Sequence, residues 1–136
     1  MALIGFHFKK MVAEKKKALT GKVNVNSNIS VVNAKEAKVS MGKSKQAGIE
    51  FTFSFVVKYT PDIALIDLEG AVVYLGTEEK VKETLKEWEN GKKIPHDVIE
   101  EVYNYLLVRC NVQALILGRD MQLPPHVQMP KVTKAK

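Results

Sequence analysis

The chain has few of the features that mark secreted or membrane proteins. Its single cysteine, Cys110, excludes an intrachain disulfide among the 136 residues. No apolar run approaches the roughly 18 residues that a bilayer-spanning helix requires, so membrane insertion is not expected. Residues 1–8 are too short and too interrupted for a signal peptide, and no small-residue cleavage site follows them. These absences favour a cytoplasmic location.

Sequence motifs for catalysis and metal binding are absent as well. The chain has no glycine-rich nucleotide loop, no nucleophile elbow and no paired Cys and His ligands for zinc. The three histidines (His7, His96 and His126) lie far apart and are interpreted as surface or capping residues. Cys110 lies on an apolar helical face and is interpreted as a small buried hydrophobe. We therefore predict a protein that is not an enzyme and that needs no cofactor or metal.

Positive charge exceeds negative charge, with 21 Lys and Arg against 15 Asp and Glu, for a net charge of +6. The excess lies in residues 1–58, where 11 lysines against three acids give +8, whereas residues 59–136 carry −2. A lysine-rich surface can attract nucleic acid or an acidic partner. However, only Arg109 and Arg119 are arginines, and arginine is the usual bidentate reader of bases and phosphates. A solvated surface of the kind found in thermophiles is the simpler interpretation.

Strict alternation of apolar and polar residues is the strongest signal in the chain. Over residues 49–59 every second residue is apolar, namely Ile49, Phe51, Phe53, Phe55, Val57 and Tyr59. A second such run follows over residues 64–74, after a break at Tyr59-Thr60-Pro61-Asp62. A period of two over this length predicts two long, half-buried strands joined by a turn.

Weaker alternation predicts two earlier strands, one over residues 3–12 and one from Val23 to Met41. A mobile loop is expected over residues 42–48, GKSKQAG. The second strand has a fully polar outer face. We therefore expect one face of the sheet to be solvated or to meet a polar partner, with Asn24, Asn26, Asn28, Asp67 and Glu69 on it.

Two helices are predicted after the strands. Thr77 is a hydroxyl cap for the first, which ends at Asn90-Gly91 and presents a narrow apolar stripe of Val81, Leu85 and Trp88. The second runs from Pro95 to Gly118, and beyond Cys110 it is apolar all round, which predicts burial on most sides. The fold class is α+β, a four-stranded antiparallel sheet with two helices, one of them long, packed on one face. Residues 1–126 form a single domain, and residues 127–136 a disordered basic tail.

The second half of this pattern resembles the SecB chaperone family. Residues 63–76, IALIDLEGAVVYLG, are similar to the family's fourth strand, in which an acidic, an apolar and a polar residue precede a glycine, here Asp67, Leu68, Glu69 and Gly70. Residues 102–126, VYNYLLVRCNVQALILGRDMQLPPH, are similar to its long helix, helix break and Leu-Pro-Pro segment. The family is typically acidic and breaks the helix at Gly-Phe-Pro-Pro, where this chain has Asn111-Val112-Gln113-Ala114. The resemblance is therefore to a divergent, for example archaeal, member.

The resemblance implies a chaperone that acts without ATP. Such proteins bind unfolded polypeptide clients in apolar grooves at the helix–sheet boundary and hold them for a translocation ATPase in protein export. It implies that Asp67 and Glu69 dock a basic tail of that ATPase, and that the chain forms a homo-oligomer, a tetramer or dimer of dimers. It also implies that the client-binding residues include Phe51, Phe53, Phe55, Leu115, Leu117 and Leu123.

Two alternatives drawn from the residues themselves remain open. Asp67 and Glu69 are also typical of a solvated strand face that discourages aggregation. The lysine-rich first half is compatible with an RNA- or ribosome-associated protein that uses residues 9–45 and the tail at Lys131–Lys136. Binding to nucleic acid weakens steeply with salt, whereas apolar binding does not, so salt separates the two functions.

Overall fold

The computed structural model describes residues 2–18, 21–41 and 44–127, so residues 128–136 of the predicted tail lie outside it. Its described part is an antiparallel sheet followed by two helices, as the sequence predicts. The elements are β1 (Ala2–Lys15), β2 (Asn24–Met41), β3 (Ser44–Thr60), β4 (Ala64–Gly76), α1 (Glu78–Gly91) and α2 (His96–Asp120). The strands stand in the spatial order β1-β4-β3-β2, so β1 and β2 form the two edges of the sheet.

The hairpin of β2 and β3 is longer than the sequence predicts. The expected loop at 42–48 is wrong for residues 44–48, which open β3 and pair with the end of β2. The ladder extends from Asn24 opposite Thr60 to Met41 opposite Ser44. Backbone hydrogen bonds extend this end of the hairpin, and they need no apolar alternation in the side chains.

The two faces of the sheet differ in polarity and in cover. The inner face, beneath the helices, carries the alternating apolar side chains of β3 and β4, which are at most 5% exposed: Ile49, Phe51, Phe53, Phe55, Val57, Tyr59, Ala64, Ile66, Leu68, Val72 and Tyr74. Burial of each large apolar side chain contributes about 1.5–3 kcal/mol. On the outer face Asn28 stands in register with Val56 and Asp67, as predicted, and the asparagine is exposed.

The first helix packs on the sheet by a narrow edge. Val81 and Thr84 are buried, and Trp88 is half-buried, as its position on the predicted stripe suggests. The Thr84 hydroxyl donates a hydrogen bond to the carbonyl oxygen of Lys80 at 2.7 Å, so it carries no unsatisfied polar atom into the core. An ion pair of 2.8 Å between Lys80 and Asp97 connects the first turns of the two helices.

Replacement of Thr77 by alanine tests how α1 begins. The Thr77 hydroxyl accepts a hydrogen bond from the backbone N–H of Lys80 at 3.2 Å, which satisfies one of the free N–H groups of the first turn. Thr77→Ala is expected to lower the free energy of unfolding by about 1 kcal/mol, measured by urea unfolding. Thr77→Ser keeps the acceptor and is the control, so equal losses in both variants would contradict the cap.

The long helix α2 ends at Asp120, two residues beyond the stop predicted at Gly118. Gly118 instead faces the core within the helix, where Tyr59 and Leu123 pack against it. The side of α2 that faces the sheet repeats at every fourth residue, with Val98, Val102, Leu106, Cys110, Ala114 and Gly118 buried. This spacing gives a single narrow contact stripe.

The prediction that the end of α2 is buried on most sides is wrong for the single chain. Ala114 is buried and Leu115 and Leu117 are half-buried, but Val112 and Ile116 are 53% and 39% exposed. Val108, one turn earlier, is 65% exposed. The sheet covers only one side of the helix, so the residues spaced at i, i+4 and i+8 along its solvent side form an apolar row. We call Val108, Val112 and Ile116 the outer stripe.

Candidate functional site

The described part of the chain assembles no candidate metal centre. Within residues 2–18, 21–41 and 44–127, no three His, Cys, Asp or Glu side chains lie close enough together to hold a metal ion. Cys110 is fully buried, and burial raises the pKa of its thiol to about 12, so the thiol stays protonated. It is therefore a small core group, as the sequence predicts.

The three phenylalanines predicted to bind clients lie in the core. Phe51, Phe53 and Phe55 are at most 1% exposed. The Phe6 ring stacks on Phe53 with centroids 5.4 Å apart and also meets Tyr105 of α2 edge-on at 5.8 Å. A second molecule could contact the phenylalanines only after such side chains move. Their role in binding therefore stays a prediction.

An apolar strip that the sequence prediction omits lies along β1. Phe6 and Phe8 are half-buried, and Met11 is 52% exposed although it stands in register with Leu68 of the inner face. The Arg109 guanidinium lies 5.5 Å from the centroid of the Phe6 ring, so a cation covers the aromatic group on the solvent side. This strip offers accessible apolar surface where the helix layer ends.

A groove of about 560 Å³ lies at the C-terminal end of α2. Leu115 and Leu123, two of the predicted binding residues, contribute to its lining, whereas Leu117 packs against the core. The other lining residues come from β3, α2, the segment after α2 and the approach to β2: Val23, Tyr59, Ala114, Gly118, Arg119, Gln122, Pro124, Pro125 and His126. The lining is mostly apolar with a few polar groups, which is typical of ligand grooves.

One wall of the groove is the segment that follows α2, residues 121–127, which we call the C-terminal strap. The backbone N–H of Leu123 donates to the carbonyl oxygen of Gly118 at 2.7 Å. The Tyr59 hydroxyl donates to the carbonyl oxygen of Pro124 at 2.7 Å. Burial raises the pKa of the Tyr59 phenol, so this donor keeps its proton at neutral pH. The Leu123 side chain is only 7% exposed.

His126 fastens the end of the strap, so its interpretation as a surface or capping residue is wrong. Its Nε2 lies 2.7 Å from Asn111 Oδ1, and its ring meets Phe55 edge-on at 5.9 Å. Its Nδ1 is buried and has no hydrogen-bond partner. Burial lowers the pKa of this histidine below its ordinary value. No spacing in the sequence indicates these contacts, because Asn111 and Phe55 are brought to His126 only by the fold.

The two acidic residues predicted to dock a partner lie on the outer face of the sheet, away from the groove. Asp67 is paired with Lys10 through Oδ2 at 3.2 Å, whereas its Oδ1 is buried without a hydrogen-bond partner. Glu69 is half-buried on the same face, next along β4. Glu50, opposite Val73 on the neighbouring strand, pairs with Lys35 at 3.5 Å. A basic partner would therefore compete with Lys10 for Asp67.

Four lysines of the first half lie around the turn between β3 and β4 without an ion-pair partner among the described residues. Lys15, Lys17, Lys22 and Lys58 are exposed, and none forms an ion pair with a described residue. By contrast, Lys16 in the same region is paired with Asp62 at 3.0 Å. Part of the excess positive charge of the first half is therefore available around this turn.

Comparison with known proteins identifies the fold. No protein-family model and no curated protein matches the sequence. Among solved structures, the chain is similar to a SecB-like chaperone from Mycobacterium tuberculosis, which was solved in complex with a ChAD peptide from the HigA1 antitoxin. The two chains are 12% identical with a TM-score of 0.56, and the match covers 96% of this chain and 89% of the other. The fold is therefore SecB-like, as predicted.

The described helices are also too short or too polar to cross a bilayer.

Proposed function

We propose that this SecB-like chain is a chaperone that binds extended, unfolded polypeptide segments without ATP. The observation that carries the proposal is the apolar groove between β3 and the end of α2, of which the C-terminal strap forms one wall. The fold it shares with a SecB-like chaperone solved with a bound peptide supports the same function. We place the protein in the cytoplasm, where nascent and pre-export chains are unfolded.

Apolar burial with little demand on sequence suits such clients. An extended segment gains about 25 cal/mol for each Å² of apolar surface that it buries. In this proposal Leu115 contacts the client directly, and the exposed Met11 on the β1 strip extends the lining. The three buried phenylalanines would bind only after the helix layer moves. The flexible Met side chain adapts to different client residues.

The outer stripe supports self-association, because an apolar row of this kind is rarely left in water. We propose that it packs against a second copy and that the assembly is a homo-oligomer, such as a tetramer or dimer of dimers. Transfer of clients to a translocation ATPase is a further part of the proposal. The partner would present a basic segment to Asp67 and Glu69 in competition with Lys10.

Suppression of aggregation tests the chaperone function. A several-fold molar excess of the protein is expected to keep an unrelated, thermally unfolding enzyme in solution without nucleotide, as measured by light scattering. Leu115→Asp introduces a charge into the groove and should remove most of this effect, because a buried charge costs several kcal/mol. Asn104→Asp adds the same charge at an exposed position of the same helix and should leave it intact. Equal activity of the two variants would argue against the groove.

Binding of RNA is a second candidate, which the four unpaired lysines favour. If these lysines bind phosphates, affinity for a single-stranded RNA should fall steeply between about 0.05 M and about 0.5 M salt. Charge reversal at Lys15, Lys17 and Lys22 should then abolish binding, while the same three changes leave suppression of aggregation unaffected. Tight RNA binding together with no suppression of aggregation would replace the chaperone proposal with this one.

A further inference from the structure

The C-terminal strap makes the kind of contacts that a bound peptide makes. One of its anchors uses only a backbone atom of the strap, since Pro124 contributes its carbonyl oxygen to the Tyr59 hydroxyl. Any extended chain carries this acceptor at every residue. The second anchor is one apolar side chain, Leu123, which fills a buried position beside Gly118, while its backbone N–H caps the end of α2. The strap therefore occupies its part of the groove with little that is specific to its own sequence.

His126 is the exception, because it locks the strap by a specific polar contact. Asn111 Oδ1 can only accept a hydrogen bond, so His126 Nε2 carries the proton and donates it at 2.7 Å. Nδ1 is then the unprotonated nitrogen of the neutral ring, and it is buried without a partner. A second proton on Nδ1 would bury both a charge and an unsatisfied N–H against Phe55. The closed strap thus requires a neutral His126.

We propose that Leu123–His126 is an internal competitor that occupies a client-binding subsite, is latched by the His126–Asn111 hydrogen bond, and is released when His126 is protonated. The proposal rests on the proposed chaperone function and identifies one of its binding subsites and the means of regulating it. A client segment that displaces the strap would meet the Tyr59 hydroxyl with a backbone carbonyl and fill the Leu123 position with an apolar side chain.

The direction of the pH dependence follows from the burial of His126, which lowers its pKa in the closed strap. A histidine in an open strap has its ordinary pKa, about 6.5. The closed state is therefore fully favoured above that value and loses stability as the pH falls below it. At about pH 5.5, one unit lower, the closed strap is expected to be weakened by up to about tenfold.

Other titratable groups near the groove keep their charge across this range. Tyr59 from β3 remains neutral because burial raises the pKa of its phenol. Cys110 of α2 also remains neutral, with a thiol pKa of about 12. Arg119 also lines the groove, and it pairs with Asp120 at 3.4 Å. A change between about pH 7.5 and about pH 5.5 would therefore report on His126.

Substitution of the latch residues tests the competitor directly. The probe is a fluorescein-labelled, uncharged peptide rich in leucine and serine, with binding measured by fluorescence anisotropy. His126→Ala and Asn111→Ala each remove the latch and are expected to tighten peptide binding about threefold to tenfold, the usual worth of one such hydrogen bond. His96→Ala alters an exposed histidine at the start of α2 and is the control, with no expected change.

The pH dependence gives a second readout. Wild-type protein should bind the peptide more tightly at about pH 5.5 than at about pH 7.5, whereas His126→Gln, which can still donate to Asn111 but does not titrate there, should show no such gain. If the wild type binds the peptide tightly, and neither the latch substitutions nor pH changes the affinity, the internal competitor alone is overturned. No binding by wild type or any latch variant would overturn the proposed chaperone function, and the competitor with it.

Discussion

Gly70→Ala is expected to prevent β1 from pairing with β4 and to unfold most of the molecule. A Cβ atom at position 70 would lie 2.8 Å from the Phe53 ring and 3.0 Å from Phe8 Cα, and would collide with the carbonyl oxygen of His7. Two of these three neighbours are backbone atoms of β1, which cannot move away without breaking the ladder. The expected loss in the free energy of unfolding is about 3 kcal/mol or more, measured by urea denaturation.

Gly91→Ala provides the matched control, because a Cβ atom there would meet no atom within 4 Å. Gly91 is the last residue of α1, so alanine should leave stability unchanged or raise it by about 0.5–1 kcal/mol. If Gly70→Ala unfolded at the same urea concentration as Gly91→Ala, the close approach of β1 to β4 described above would be wrong.

The second large effect is expected from the outer stripe. Wild-type protein should sediment at micromolar concentration as a multiple of its 15.2 kDa chain, whereas a Val108→Asp/Val112→Asp variant should sediment as a monomer. Two carboxylates at the centre of an apolar interface would be desolvated without partners, which costs several kcal/mol. The same residues are 65% and 53% exposed in the single chain, so the substitutions should not disturb its fold.

A double substitution on α1 controls for charge alone. Lys82→Asp/Lys86→Asp places two carboxylates on an exposed face of α1 at the same i, i+4 spacing. That variant should keep the wild-type mass. A wild-type protein that is a monodisperse monomer would contradict the role of the outer stripe, whatever the variants did.

Much of the fold could be predicted because its signals are local. The alternation from Ile49 to Tyr59 fixes which side chains of β3 are buried, and all six predicted apolar positions are in the core. Thr77 caps α1 where its hydroxyl and the acids after it indicate a helix start. Each of these features depends on residues within a few positions of one another, so a single sequence carries the information.

The groove could not be predicted, because its contacts join distant parts of the chain. The Tyr59 hydroxyl and the Pro124 carbonyl are 65 residues apart, and neither has a sequence neighbour that marks the pair. The prolines of the strap correctly predict an absence of helix and strand, but a segment without regular structure can still be packed, as Leu123 is. At the end of α2 the sequence is apolar at buried and at exposed positions alike. Only the position of the sheet determines that Ala114 is buried and Val112 is exposed.

The three buried phenylalanines show that alternation alone does not reveal what covers a strand face. Their alternation predicts a strand face that something must cover, but it does not say whether the cover is a helix or a client. In the structure Phe53 is stacked against Phe6 and lies beneath the helix layer. Leu115 and Leu123 line the groove because the first lies near the end of α2 and the second lies in the strap that follows it.

The most direct test of the central claim is the binding of a permanently unfolded chain, prepared by reduction and alkylation of an unrelated protein, at low and high salt. Binding is expected without nucleotide and should persist from about 0.05 M to about 0.5 M salt, since screening weakens charge attraction and leaves apolar burial intact. Leu115→Asp should reduce the affinity at both salt concentrations. Absence of binding, or binding that is lost at about 0.5 M salt and is unaffected by Leu115→Asp, would contradict the central claim.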